Sequence, residues 1–216
     1  MNPCQDELFD IQQYKQIFTG SYTEYMEFVS SKYFKVCKGS RVLEIGPFEG
    51  AHSHKIISHQ PDFLKVIEGF SKSIPVLNSI PGINSVVHDD VMLALHKPEK
   101  FDVVVCFGVL YHLHSPIHLL ELIVNYCDPE YIILDCVMEQ NHITLLHENL
   151  DIAGSCQVRP SWKSAKVNCV IPFLSYMDVM KNLGYKLSLV DRLQVQEYTP
   201  KTNSWVAMWE KSVETL

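Results

Sequence analysis

The amino-acid sequence predicts an α/β three-layer sandwich built on a mostly parallel seven-stranded sheet that ends in an antiparallel C-terminal hairpin strand. Three observations lead there. From Ser40 onward, short β-branched runs alternate with helical or turn-rich segments, the pattern of a parallel sheet covered on both faces. A length of 216 residues with 47% hydrophobic and 20% charged side chains suits a single domain with a full core. The last two apolar runs, Tyr185–Leu193 and Ser204–Glu210, are joined by about ten residues without helical pattern, a link that suits antiparallel neighbours better than a parallel crossover.

The elements follow in order. Residues 1–38 form an N-terminal helical segment packed on the core. Tyr14, Ile17 and Phe18, then Tyr22, Tyr25, Met26, Val29 and Tyr33, recur at helical spacing, and Thr19-Gly20-Ser21 divides them into two short helices. Residues 39–216 form the main domain. Its strands are expected at Arg41–Ile45, Phe63–Ile67, Ser85–His88, Phe101–Phe107 and Tyr131–Val137, before the two C-terminal runs. Helices are expected over 50–60, 71–79 and 116–126; in the last, Ile117, Leu119, Leu120, Ile123, Val124 and Cys127 make one apolar face. The stretch 139–170 has no clear periodicity and is a substrate-side insertion. A helix over 172–183 follows, capped by Gly184.

Charge and thiols narrow the partners. The formal net charge is −7, and Lys and Arg are scattered singly. Long-range attraction to nucleic acid is therefore weak, and a small-molecule substrate is favoured over RNA, which would need a local basic groove. The seven cysteines include no Cys-x-x-Cys pair, and several sit in apolar runs as small hydrophobes do. That usage predicts free thiols in a reducing, cytoplasmic compartment. The polar, acidic N-terminus predicts no secretory leader, and no apolar run is long enough to span a membrane.

Four motifs carry chemistry. The first is Val42-Leu-Glu-Ile-Gly-Pro-Phe-Glu-Gly-Ala-His52, a strand, a glycine turn and a helix start. Gly46 allows a tight turn beside a ligand, and Gly50 lets the next helix pack closely. A dinucleotide fingerprint needs G-x-G-x-x-G. Here Phe48 and Ala51 stand at two of those positions, and Pro47 removes a backbone donor. The loop is a poor pyrophosphate cradle, and the carboxylate of Glu44 suits a cationic ligand. The second is Glu68, about twenty residues after the turn, where a carboxylate accepts ribose hydroxyls; a plain solvated strand end is the alternative. The third is Asp89-Asp90, with Asp90 favoured by register to accept an adenine amino group and the Val91 backbone at the ring edge. Asp90 can also cap a helix. The fourth runs from Phe101 to Pro116 and places Phe107, Gly108, Tyr111 and His112 after the fourth strand, at the topological switch point.

Over roughly residues 40–137 these blocks resemble class I S-adenosylmethionine (SAM)-dependent methyltransferases, a Rossmann-like family. The resemblance implies SAM as cofactor, held by Glu44, Gly46, Phe48, Gly50, Glu68, Asp90, Val91, Phe107 and Gly108. Phe48 departs from the family's usual third glycine. Gly108-Val-Leu-Tyr-His-Leu-His-Ser-Pro116 also resembles tRNA wobble-uridine carboxymethyltransferases, which use carboxy-SAM; that likeness covers only about a dozen residues.

The implied chemistry is direct displacement at the SAM methyl carbon, with the acceptor held in line. His112, beside Tyr111, is the candidate base for a hydroxyl or amine acceptor; its other reading is a loop histidine that shapes the pocket. His112, His114 and His118 form H-x-H-x3-H, but Pro116 interrupts the spacing and no metal is expected. His52 and His54 fall on the first turn of the helix after the glycine loop, one of them facing the site. His142 and His147 are substrate-side or on a surface helix, and Arg159, Trp162 and Lys163 are candidates for contacts to an anionic or aromatic substrate. The rival readings are carboxymethyl transfer, a non-catalytic SAM-binding protein and a nicotinamide oxidoreductase, the last disfavoured by Phe48 and Ala51.

Overall fold

The structure, a computed structural model, describes residues 17–113, 115–138, 144–147, 167–170, 173–195 and 203–212. Its main sheet contains β1 (Ile17–Gly20), β2 (Arg41–Ile45), β3 (Phe63–Glu68), β4 (Ser85–His88), β5 (Val103–Cys106), β6 (Tyr131–Met138), β9 (Tyr185–Val195) and β10 (Asn203–Lys211). The spatial order is β1-β9-β10-β6-β5-β2-β3-β4. Only β10 runs against its neighbours, antiparallel to both β6 and β9. Order reverses between β2 and β5, so the crevice at their C-terminal ends is the switch point where such sheets bind ligands.

The seven expected strands are present. The eighth, β1, corrects the helical reading of Ile17 and Phe18. These residues pair in parallel with Arg192 and Leu193 at the open edge of β9. An edge offering unpaired backbone groups outweighs the helical pattern of a short segment. Ser21 then starts a helix with a capping box: its side chain accepts from the Glu24 N–H at 3.3 Å, and its own N–H donates to Glu24 Oε2 at 2.7 Å.

Strands β2, β3 and β5 bury both faces, as a covered parallel sheet must. One face packs α1 (Tyr22–Tyr33), α2 (Ala51–Ser58) and α3 (Ile74–Ser79) around Val29, Phe34, Ile56, Leu77, Val105 and Ile133. The other packs α4 (Val91–Ala94), α5 (Pro116–Leu122) and α6 (Phe173–Asn182) around Leu43, Val104, Leu120, Ile132, Trp205 and Trp209. The expected helix over 116–126 changes to a π-helical turn at Ile123–Cys127. Gly184 ends α6 at φ 85°, a conformation glycine adopts without a Cβ clash.

Helix α1 is tied to the far strands. The buried Tyr33 hydroxyl donates to Asp191 Oδ2 at 2.6 Å and to the Val206 carbonyl at 3.0 Å. Lys32 pairs with the same carboxylate at 2.5 Å, so the buried charge of Asp191 is matched. Ser30 and His59 share a 3.0 Å hydrogen bond, and Lys55 pairs with Glu27, joining α1 to α2.

Within 139–170, β7 (Thr144–His147) and β8 (Val167–Val170) form an antiparallel pair. His147 therefore lies on a strand. His142, Arg159, Trp162 and Lys163 lie outside the described residues, as does His114.

Candidate active site

The glycine turn leaves β2 at the switch point. Gly46 has φ 71° and its N–H donates to the Ile67 carbonyl at 2.9 Å, which fastens the loop to β3. Phe48 occupies the left-handed region at φ 53°, a conformation uncommon for a residue with a Cβ. Its N–H donates to Glu68 Oε2 at 2.8 Å, and its ring stacks on Phe70 with centroids 5.7 Å apart. Gly50, at φ 85°, opens α2; a Cβ there would run into the Ile80 side chain.

Three buried carboxylates lie at the C-terminal ends of β2, β3 and β4. Glu44 is 2% exposed and accepts the Ser53 hydroxyl at 2.6 Å. Burial pushes its carboxyl up to about 8; the Ser53 hydrogen bond opposes the shift and the Glu68 charge adds to it. Glu68 ends β3 and also accepts the Phe70 N–H at 2.6 Å. Burial raises its pKa, against the backbone donors of Phe70, Phe48 and Gly69. Asp90 is buried, caps α4 through a 2.8 Å bond from the Met92 N–H, and is likewise raised by burial. Asp89 turns back to accept the Asp90 N–H at 2.9 Å. Val91 begins α4 beside them.

These residues fit a cofactor such as SAM chemically. Ionised carboxylates out of water are relieved by hydroxyl donors and by cations. A ribose supplies the first, and an ammonium and a sulfonium supply the second. The space over Gly46 holds a surprise, however: a Cβ there would collide with a Val109 methyl before meeting any ligand. A side chain at 46 therefore meets the protein itself first. Val109, from the β5 loop, already packs on this glycine.

Across the crevice, Phe107 and Gly108 follow β5. Phe107 is buried and meets His52 edge-on at 4.8 Å and Phe34 at 5.8 Å. His52 also lies edge-on to Tyr25 and Phe34, each at 6.3 Å, and burial lowers its imidazole pKa to about 4. Of the pair His52 and His54, His52 turns inward and His54 is exposed. Gly108 has φ 70° and donates its N–H to Asp135 Oδ1 at 2.6 Å. Tyr111 and His112 close a short 3-10 turn, their rings 4.3 Å apart. His118 stands on the exposed side of α5 against Glu121, away from His112 in its role. Among the described residues no group of three His, Cys, Asp or Glu is placed to hold a metal ion.

Asp135 and Phe70 lie outside the sequence motifs, and Val109 lies within one without an expected role. For Asp135 the signal was present: one acidic residue interrupts the apolar run Tyr131-Ile-Ile-Leu-Asp-Cys-Val137 on a covered strand. Its carboxyl is pushed up to about 7 by burial, against the Gly108 N–H.

Known proteins share this architecture. The family model for the methyltransferase domain matches residues 22–188. Among curated proteins, the chain is similar to the tRNA U34 carboxymethyltransferase of Sulfurimonas denitrificans, 32% identical over 112 residues that make up 48% of this chain and 36% of that protein. A similar match to the tRNA U34 carboxymethyltransferase of Campylobacter concisus is 30% identical over 90 residues, 38% of this chain and 30% of that protein. The chain thus spans about a third of the length of the curated relatives it matches. Among solved structures, the Burkholderia thailandensis 1,6-didemethyltoxoflavin-N1-methyltransferase, bound to 1,6-didemethyltoxoflavin and S-adenosylhomocysteine, aligns with a TM-score of 0.66 at 12% identity, covering 87% of this chain and 78% of that one. At that identity the likeness carries the fold alone. The family match over residues 22–188, on a mixed sheet with its glycine loop at the switch point, gives the conclusion that this chain belongs to the methyltransferase domain family.

Proposed function

We propose that the chain methylates a small-molecule acceptor by direct displacement, with Glu44, Gly46, Phe48, Gly50, Glu68, Asp90, Val91, Phe107 and Gly108 holding the cofactor. The observation that carries this reading is the set of buried carboxylates, Glu44, Glu68 and Asp90, at the C-terminal ends of the neighbouring strands β2, β3 and β4, next to the glycine turn at the switch point. Bound SAM supplies an electrophilic methyl carbon on a sulfonium leaving group. The protein's part is to orient the acceptor, exclude water and, for a hydroxyl or amine acceptor, receive a proton. Tyr111 and His112, on the loop after β5, are candidates for the last two tasks, with a pocket-shaping role as the other reading of His112.

The small-molecule preference rests on charge. The chain carries a net charge of −7, and the segments 44–50, 68–70, 88–91 and 105–113 contain no lysine or arginine to meet phosphates. The similarity to tRNA U34 carboxymethyltransferases supports a second reading, carboxymethyl transfer to tRNA. That reaction needs a cation for the cofactor's extra carboxylate. The free thiols of Cys37, Cys106 and Cys127 favour a reducing, cytoplasmic setting.

Thermal melts with SAM, carboxy-SAM and NAD separate the readings, since a ligand stabilises the fold according to its affinity and concentration. SAM is expected to raise the midpoint most. Preference for carboxy-SAM supports the second reading, and preference for NAD rejects both. Labelled SAM with panels of small hydroxyl, amine and carboxylate compounds, and with total tRNA, then identifies the acceptor.

A further inference from the structure

The row of residues across the C-terminal ends of the strands is set by the ladder register. Ile45 pairs with Cys106, and Cys106 with Leu134. One step further, Gly46, Phe107 and Asp135 stand level on β2, β5 and β6. Asp135 is thus two strand spacings, about 10 Å, from the glycine turn, with Phe107 between. Strand alternation puts its side chain on the same face as Ile133, the face covered by α1 and α2. It also pairs across β10 with Val206, which itself opposes Asp191.

The two aspartates of that row differ in their partners. Asp191 is matched by Lys32 and Tyr33. Asp135 receives the Gly108 N–H, and no lysine, arginine or histidine pairs with it among the described residues. It nonetheless keeps part of its surface open, unlike Glu44, Glu68 and Asp90. A buried carboxylate that no cation among the described residues pairs with is costly, and the cost is relieved by a donor from a ligand.

Resting on the methyltransferase reading, we propose that Asp135 is the acceptor-side catalytic carboxylate, facing the point of methyl transfer across Phe107 and Gly108 and receiving the acceptor's proton. The charges balance. As the acceptor's oxygen or nitrogen bonds to the methyl carbon, the carbon–sulfur bond breaks and its electron pair stays on sulfur. The acceptor's hydrogen passes to Asp135, which becomes neutral as the sulfonium charge disappears. A carboxyl pushed up to about 7 is suited to take a proton near neutral pH. The Gly108 hydrogen bond fixes its orientation.

The test needs no knowledge of the acceptor. Sinefungin carries an ammonium where SAM carries its methyl sulfonium, whereas S-adenosylhomocysteine carries nothing there. Calorimetry on the full chain compares the two ligands in wild type and in Asp135→Asn, whose amide oxygen can still accept the Gly108 N–H. The preference for sinefungin is expected to fall severalfold in the variant, the loss of a nearby opposite charge across the acceptor's place, with S-adenosylhomocysteine affinity unchanged. An unchanged preference overturns the proposal and leaves the cofactor site intact. Failure of either ligand to bind wild type overturns the underlying methyltransferase reading with it. Should Asp135→Asn not fold, carboxyl NMR on the wild type serves instead: the Asp135 resonance should titrate lower with sinefungin bound than with S-adenosylhomocysteine, and equal titration overturns the proposal.

Discussion

The two sides of the crevice are built differently. On the cofactor side, each carboxylate accepts from at least one group within nine positions in sequence, while Phe48 reaches Glu68 from twenty away. Glu68 receives N–H bonds from Phe70 and Phe48, Asp90 from Met92, and Glu44 the hydroxyl of Ser53, nine positions on. On the acceptor side, partners arrive from remote elements. Asp135 meets Gly108, 27 residues away, and Tyr33 meets Asp191, 158 away. His52 from α2 packs between rings of Tyr25, Phe34 and Phe107. In the proposed site, the cofactor residues thus gather around β–α turns, while the proposed acceptor residues depend on what the assembled sheet brings together. Substitutions on the first side should change cofactor affinity, and those on the second should change turnover.

The largest effect is expected on the acceptor side. If His112 takes the acceptor's proton, His112→Asn should keep SAM affinity and lower turnover by roughly 10²–10⁴-fold. Asp135→Asn should then be the milder variant in turnover. The reverse order assigns the proton to Asp135 and leaves His112 shaping the pocket, visible as a raised KM without a change in pH profile. Steady-state assays across pH with the identified acceptor decide.

Gly46→Val comes next and probes the one place where the two sides touch. Its side chain must displace Val109 and adopt φ near 71°. SAM affinity should fall by more than tenfold, and because Val109 belongs to the β5 loop, turnover per bound SAM should fall as well. Retained turnover at saturating SAM would break the link between the sides. A smaller loss is expected from Glu68→Ala: about tenfold in SAM affinity, corresponding to roughly 1.5–3 kcal/mol for a charge-assisted hydrogen bond. Calorimetry measures it. Glu68 also fastens the Phe48 and Phe70 amides, so the unliganded melting temperature should drop too.

The smallest effect is a pH dependence shared by both sides. Glu44 and Asp135 have folded-state values of about 8 and about 7, above the ordinary carboxylate value of about 4. The folded protein therefore binds protons that the unfolded chain has released. Their contribution to stability is fully present below about pH 4 and is lost as pH rises through about 7 and 8. The unliganded melting temperature should fall by a few degrees between pH 6 and 8.5, and a Glu44→Gln/Asp135→Asn double variant should flatten that slope. A flat wild-type profile would mean that these carboxylates are not desolvated.

The same division marks what the sequence determined by itself. The alternation of β-branched runs and amphipathic segments was enough to place seven strands, because hydrophobic periodicity is a property of contiguous residues. The antiparallel β10 followed from the short link before it. The cofactor loop was legible because a glycine turn, a strand-end acid and a capping acid each work through their immediate neighbours. Tertiary structure decided the rest. Ile17 and Phe18 became β1 only because the edge of β9 was open to them. Val109 came to lie on Gly46, and Asp135 to stand level with Gly46 and Phe107, only once β5 and β6 were aligned beside β2. The physical reason is one of range: propensity, capping and turn chemistry act within a few residues, whereas strand register and side-chain packing join positions that the sequence holds far apart.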